Sequence, residues 1–337
     1  MTLCALKTPM AENKSMPMTK KTALICGVSG QDGSYLAALL ISKGYTVFGT
    51  SRDAQGPSFF NLKKLGIQDQ VTTISMVPED FRSVLVALRK SNPDEIYFLA
   101  GQSSVGLSFE QPAETMQSIT MGTLNILEGC RMLETENKSI KVYHAGSGEC
   151  FGDTLGEPAN ESTPFYPMSP YAVAKSSAYW LVNNYREAYG LFACTGILFN
   201  HESALRPERF VTQKIVRAVK RISQGSTEKL KLGRLDIARD WGWAPEYVEA
   251  MWLMLQQDKA QDFVIATGTT MTLEEFVKTA FDEVNLYWQD HVIQDPSLFR
   301  PTDLAKGLAD PSKAEKMLHW RASTRGVDIV KKMYQSI

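Results

Sequence analysis

Histidine and cysteine are scarce in this 337-residue chain, which has four of the first and five of the second. No two histidines stand at metal-ligand spacing, and Cys4, Cys26, Cys130, Cys150 and Cys194 form no CxxC pair. The odd number and irregular spacing argue against a zinc site and a disulfide framework. Incidental or buried thiols in a reducing compartment remain. An excess of charge of one sign is missing too. Lys plus Arg number 36 against 37 Asp plus Glu, a net charge of −1, so nothing offers an electrostatic grip on nucleic acid or an anionic membrane. The opening stretch "MTLCALKTPMAENKSMPMTKK" has no apolar core long enough for a signal peptide or a membrane span. The expectation is a disordered leader over residues 1–20, a cytoplasmic location and no metal. Internal repeats and low-complexity segments are absent as well.

What is present is ordinary globular composition, 44% hydrophobic and 22% charged, arranged in a clear rhythm. A β-rich run at 22–26 meets a glycine cluster. A helical pattern follows with Leu36, Leu39 and Leu40 on one face, Gly44 ends it, and "YTVFGTS" makes a second β run. Further apolar runs lie at 71–76, 95–100, 140–145 and 192–199, separated by helical stretches at 79–90, 113–133 and 170–189. This alternation predicts an α/β fold, a doubly wound parallel sheet covered on both faces. After about residue 200 the rhythm changes. Helices are expected at 211–224, 245–256, 273–285 and 311–318, with short strand-like pieces at 229–233 and 262–266. The domain reading is a dinucleotide-binding domain over 21–200, to which some later segments return, and a smaller α/β substrate lobe mainly over 201–337.

The first βα turn carries Gly27, Gly30 and Gly33 in GxxGxxG spacing. Glycines there let the backbone approach a pyrophosphate, and the helix N-terminus offers N–H groups and a partial positive charge. The strand-turn-helix context supports a dinucleotide site. The second strand ends Ser51-Arg52-Asp53. A small residue followed by arginine suits the 2′-phosphate of NADP; Asp53 pulls the other way, so NAD is the less favoured cofactor.

Two further stretches carry chemistry. "SPYAVAKSSAYW" places Tyr171 and Lys175 four residues apart, on one helix face. A tyrosine with a reference pKa of about 10 is a poor base, and an ammonium nearby is expected to lower it. "GSGECFG" follows the run "IKVYHA" and puts Ser147 and Glu149 just past a strand end, a hydroxyl and a carboxylate two residues apart.

The glycine cradle, Ser147 and Tyr171-xxx-Lys175 resemble the extended short-chain dehydrogenase/reductase family, with its Rossmann-type sheet. Longer stretches, "GVSGQDGSYLA", "TPFYPMSPYAVAK", "NYREAYG", "GILFNHES", "RDWGWAPEYVEAMW" and "LQQDKAQDFVIATG", resemble the GDP-mannose 4,6-dehydratase family from about residue 22 to 320. The resemblance implies a redox-neutral lyase acting on a GDP-sugar with NADP as a shuttle. Ser147, Glu149, Tyr171 and Lys175 would be catalytic, with Glu149 as the second acid/base group that a simple reductase does not need. The cofactor would be held by Gly27, Ser29, Gly30, Gln31, Asp32 and Gly33, by Arg52, by Leu99, Ala100 and Gln102, and by Tyr171, Lys175, Asn200 and His201. The substrate would meet Ser103, Asn200, Arg206, Val211, Lys214 and Asp303, with Arg239 and Arg300 on the pyrophosphate. A homodimer through the helices at 113–133 and 170–189 is implied, with a tetramer left open because "SRDAQGPSFFN" has one arginine where the family has two.

Ser147 stands where the family usually has threonine and Asp303 where it has glutamate; three further departures from the family pattern, Val77, Ser104 and Trp243, are expected to cluster around the cofactor and the sugar. They keep alternatives open: an NADPH-dependent nucleotide-sugar 4-ketoreductase, a dehydratase for another GDP-hexose or heptose, and a cofactor-binding scaffold without catalysis.

Overall fold

The computed structural model describes residues 20–56, 59–134 and 139–337. The leader expected over 1–20 lies outside these residues but for Lys20, and so does Cys4. The strands in chain order are β1 (Thr22–Cys26), β2 (Thr46–Ser51), β3 (Val71–Ser75), β4 (Glu95–Phe98), β5 (Lys141–Ala145), β6 (Ala193–Leu198), β7 (Asn200–Glu202), β8 (Leu230–Leu232), β9 (Ala238–Trp243), β10 (Phe263–Ile265), β11 (Thr270–Thr272) and β12 (Val292–Gln294). The helices are α1 (Gln31–Ser42), α2 (Phe60–Lys64), α3 (Phe81–Ser91), α4 (Val105–Glu110), α5 (Pro112–Met116), α6 (Gly122–Glu134), α7 (Pro170–Tyr189), α8 (Val211–Ser223), α9 (Ala244–Leu255), α10 (Leu273–Asp282), α11 (Ser312–Leu318) and α12 (Val327–Gln335).

Seven strands pair in the order β10-β6-β5-β4-β1-β2-β3, every pair parallel. Leu36 and Leu40 of α1 pack with Tyr247 and Met251 of α9 on one face. Val84 and Leu88 of α3 pack with Ile126 of α6 and Val182 of α7 on the other. Both faces are covered, which is why the inner strands read as unbroken apolar runs; each fully buried aliphatic side chain contributes about 1.5–3 kcal/mol. The order reverses between β1 and β4, and ligands bind such sheets at that point, beyond the strand C-termini.

The chain leaves this sheet sooner than its apolar pattern suggested. The run expected as one strand over 192–199 ends at Leu198, and after Phe199 the chain enters β7, which pairs with β9 in a separate sheet ordered β11-β9-β7. That step carries Asn200 and His201 over the strand ends. The helix expected over 113–133 is α5, a π-helical turn at Gln117–Met121 and α6. The piece expected at 262–266 is β10, an edge strand of the main sheet beside β6. The piece at 229–233 is β8, which pairs with β12 alone. The remaining lobe is built on α8, whose Ile215, Val216, Val219 and Ile222 are buried at helical spacing against Phe276 and Phe281 of α10 and Ile329 and Met333 of α12.

Candidate functional site

The turn after β1 is shaped for close backbone approach. Gly27 has φ +88°, and a Cβ there would lie 3.1 Å from the Cα and the N of Ala100 at the β4 exit. A Cβ on Gly33 would lie 2.3 Å from the Gly27 carbonyl oxygen, so only glycine lets α1 sit this tightly on the strand. Gly30 caps α1, leaving the N–H groups of its first turn facing outward. These residues fit a dinucleotide pyrophosphate, since the cradle has no side chain to fill it and the helix end favours an anion.

Asp32, in that first turn, is paired with His201 of β7: Nε2 of the histidine lies 2.9 Å from Oδ2 of Asp32. His201 Nδ1 lies 2.8 Å from the Phe199 carbonyl, and the imidazolium form, with a proton on both nitrogens, donates to that carbonyl and to the carboxylate. Burial works against both charges, but their mutual attraction raises His201 and lowers Asp32 from their ordinary values. Gln31 is spent on structure. Its amide donates to Asp32 and to the His201 carbonyl, and its oxygen accepts from Ser203.

The catalytic candidates converge from β5 and α7. Ser147 ends the extended stretch after β5 and caps a 3-10 turn over Gly148–Phe151, its hydroxyl accepting from the Glu149 N–H at 3.2 Å. That turn carries the Glu149 carboxylate into the cleft. Ser169 accepts from the Ala172 N–H, and Pro170 holds the first helical position, so Tyr171 lies in the first turn of α7 with Lys175 one turn on. The Lys175 ammonium is 5.8 Å from the centre of the Tyr171 ring and donates to the Ala145 carbonyl at 2.7 Å.

The expected lowering of Tyr171 by this ammonium is not what the structure shows. Burial pushes the phenol well above its ordinary value, opposed by the Ser147 hydroxyl and more weakly by Arg206. Burial pushes Lys175 down to about 8. Loss of water disfavours both charged forms, so the neighbouring Ser147 hydroxyl is the group that favours the phenolate most.

One cleft of about 400 Å³ gathers these groups. Ser147, Glu149, Tyr171 and Lys175 line it with Asp32 and Leu99. Ser103, Asn200 and His201 line it too, and Arg206, Val211, Lys214, Arg239, Arg300 and Asp303 line it from the second lobe. Gly27, Ser29, Gly30, Gly33, Ala100 and Gln102 are not among its lining residues. Gln102 donates to Ser104 and Thr115 instead. Arg52 stands apart, 57% exposed and ion-paired with Glu79 at 3.5 Å and Glu114 at 2.9 Å. Asp53 caps its own turn through the Gln55 and Gly56 N–H groups.

Of the three departures expected to cluster here, only Ser104 lines the cleft, where it also caps α4. Trp243 is buried in the second lobe beneath Lys332, and Val77 receives no place in the cleft. Sequence reasoning missed Glu202, a 1%-exposed carboxylate that accepts from Thr212 and pairs with Arg206 at 3.3 Å. It missed Arg209, Arg234 and Phe299 at the rim as well. Glu202 was visible within "FNHES"; the rim residues belong to no periodic pattern.

A protein-family model described as GDP-mannose 4,6 dehydratase matches residues 24–333. GDP-mannose 4,6 dehydratase 1 of Arabidopsis thaliana is 45% identical over 93% of this chain and 89% of its own length. The GDP-mannose 4,6-dehydratase of Vibrio cholerae is 44% identical over 89% of each chain. Among solved structures, a UDP-glucose 4-epimerase from Thermotoga maritima with UDP-glucose superposes with a TM-score of 0.82 at 21% identity, covering 93% of this chain and 97% of that one. A dTDP-glucose 4,6-dehydratase from Streptomyces venezuelae with NAD bound gives 0.81 at 19%, covering 93% and 96%. At these identities the two structures speak for the fold.

Proposed function

The chain belongs to the GDP-mannose 4,6-dehydratase family, and from that premise we propose that it converts GDP-mannose to GDP-4-keto-6-deoxymannose. The observation that carries the reading is the meeting of two separate proton-handling units in one cleft: the Ser147–Tyr171–Lys175 group and the Glu149 carboxylate. A reductase of this fold needs only the first. When bound, the nicotinamide cofactor supplies the redox chemistry by accepting hydride from the sugar C4 and returning it to C6.

The protein's own residues move the protons. The phenolate form of Tyr171, opposed by burial and favoured by the Ser147 hydroxyl, takes the proton of the C4 hydroxyl as that carbon is oxidised. The resulting 4-ketone acidifies the C5 proton. Glu149 removes it and protonates the departing C6 hydroxyl, which leaves as water. C5 is then reprotonated at the expense of the proton that Tyr171 took from the C4 hydroxyl, which resets both groups, so the cycle consumes no net proton or reducing equivalent. The cation-rich side of the cleft, with Arg206, Lys214, Arg234 and Arg300, suits a nucleoside diphosphate.

NADP is the proposed cofactor, because Arg52 stands at the end of β2 while Asp53 is occupied by its own turn. A homodimer is proposed through the helical segment 113–133 and α7, where Met121, Met132, Val173, Trp180 and Tyr189 are exposed. No helix of the described residues is long and apolar enough to cross a membrane, and a cytoplasmic location is proposed. The test is mass spectrometry of products from a panel of GDP-sugars, with reduced cofactor followed by absorbance. GDP-mannose should lose one water with no net cofactor consumption; a product formed only with stoichiometric NADPH would make the protein a reductase.

A further inference from the structure

Glu202 is a carboxylate with 1% exposure that the proton transfers above do not use. It stands where three elements cross. Its chain neighbours tie β7 to the first turn of α1: Gln31 donates to the His201 carbonyl at 3.1 Å, and the Ser203 hydroxyl donates to Gln31 at 2.8 Å. Its own Oε2 accepts from the Thr212 hydroxyl at 2.7 Å, which ties it to the first turn of α8. The same oxygen lies 3.3 Å from Arg206 Nε. A carboxylate this far from water is costly unless it is paired and hydrogen-bonded, and Arg206 supplies the opposite charge.

Arg206 is held on two sides. Its guanidinium carbon lies 3.6 Å from the centre of the Phe210 ring, so one face of the plane is stacked. Glu202 meets its Nε edge. Neither terminal nitrogen donates to any group among the described residues, which leaves Nη1 and Nη2 as two parallel donors. Arg206 lines the cleft with Tyr171 and Asp32. Burial raises both of those acids, and the Arg206 charge is among the groups that oppose it. The guanidinium is therefore within electrostatic reach of the glycine turn and of the catalytic tyrosine at once.

We propose that Glu202 is a positioning residue for Arg206. It fixes the guanidinium by one edge so that the two terminal nitrogens present a bidentate fork to a diphosphate in the cleft, and Thr212 holds Glu202 in turn. A diphosphate is carried both by a dinucleotide cofactor and by a GDP-sugar. The inference rests on the reading of the cleft as a site for those two ligands.

Glu202→Gln keeps the shape and can still accept from Thr212, but it loses the charge that aims Arg206. Two arms separate the ligands in the purified holoenzyme. One is release of bound NADPH, chased by excess NADP and followed by nucleotide fluorescence. The other is calorimetric titration with GDP. At least one should weaken about tenfold, the worth of one charge-assisted hydrogen bond set out of line. The arm that moves identifies the diphosphate as the cofactor's or the sugar nucleotide's. Removal of a negative charge by itself would tighten an anion, so the sign of the change distinguishes aiming from simple attraction. Thr212→Val should shift the same arm about threefold. In an Arg206→Met background, Glu202→Gln should have no further effect. Unchanged or tighter binding in both arms, or a loss that persists at full size in the Arg206→Met background, would overturn the inference. The parent protein tests the dehydratase reading separately: if it binds both ligands but forms no dehydrated product from GDP-mannose, that reading falls and the binding arms still decide the role of Glu202.

Discussion

The two ends of the parallel sheet each carry an acidic side chain largely withdrawn from water, and they are treated in opposite ways. Glu95 opens β4 at the lower end and is 1% exposed. Its oxygens accept from Lys21, Tyr45, Gln256 and Tyr97 at 2.8–3.2 Å. Glu149, past the upper end of β5, is 17% exposed and meets one cation at 3.8 Å. A carboxylate met by four donors is stable and chemically idle, because most of its capacity to take a proton is engaged. One that is held near a cation but left unsaturated in a cleft can exchange a proton with a ligand. Burial alone therefore does not mark a functional carboxylate; the count of donors around it does.

Exchanging each acid for its amide tests this contrast, and the largest effect is expected at the upper end. Glu149→Gln should lower turnover about a thousandfold, within the range that a positioned acid or base supplies, with a melting temperature close to that of the parent. Lys175→Met should cost about a hundredfold in kcat. In the parent, activity that needs the Lys175 ammonium should decline as pH rises through about 8. Stability should move the other way. The folded value lies below the free value of 10.5, so the cost of burying the charge is present below about 8 and relieved as pH rises towards 10.5. Lys175→Met should accordingly melt above the parent at pH 7, with the gap narrowing in alkali, as thermal scans across pH would record.

Glu95→Gln should reverse the pattern of Glu149→Gln. Denaturant titration should show a loss of about 1–3 kcal/mol from donors left unpaired, with kcat per folded molecule intact. The smallest change is expected at Arg52, where pairing with Glu79 and Glu114 already competes for the guanidinium. Arg52→Ala should weaken NADP by about tenfold, the worth of one exposed charge-assisted bond, and leave NAD binding unchanged in a fluorescence titration.

The same contrast explains what could be read from the chain. β1, β4, β5 and β6 are legible because both of their faces are buried, so they appear as apolar runs. Tyr171 and Lys175 are legible because a helix brings residues four apart together. β9 is hidden because its "ARDWGW" buries Arg239 and Asp240 along with its tryptophans, and Asp240 holds the loop beyond β10 through the N–H groups of Thr267, Gly268 and Thr269. β7, β11 and β12 are three residues each, too short to show a period, and β8 and β10, equally short, show only as isolated apolar pieces. The pairs that organise the site join residues far apart in the chain. Asp32 with His201 and Arg239 with Asp303 have no local pattern to betray them, although each residue was singled out alone.

The central claim is that Glu149 separates dehydration from simple oxidation. Single-turnover absorbance on Glu149→Gln, loaded with oxidised cofactor and mixed with GDP-mannose, measures it most directly. The account predicts that reduced cofactor rises and persists, because C4 is oxidised and water cannot leave. Dehydrated product appearing at the parent's rate, with no accumulation of reduced cofactor, would contradict it.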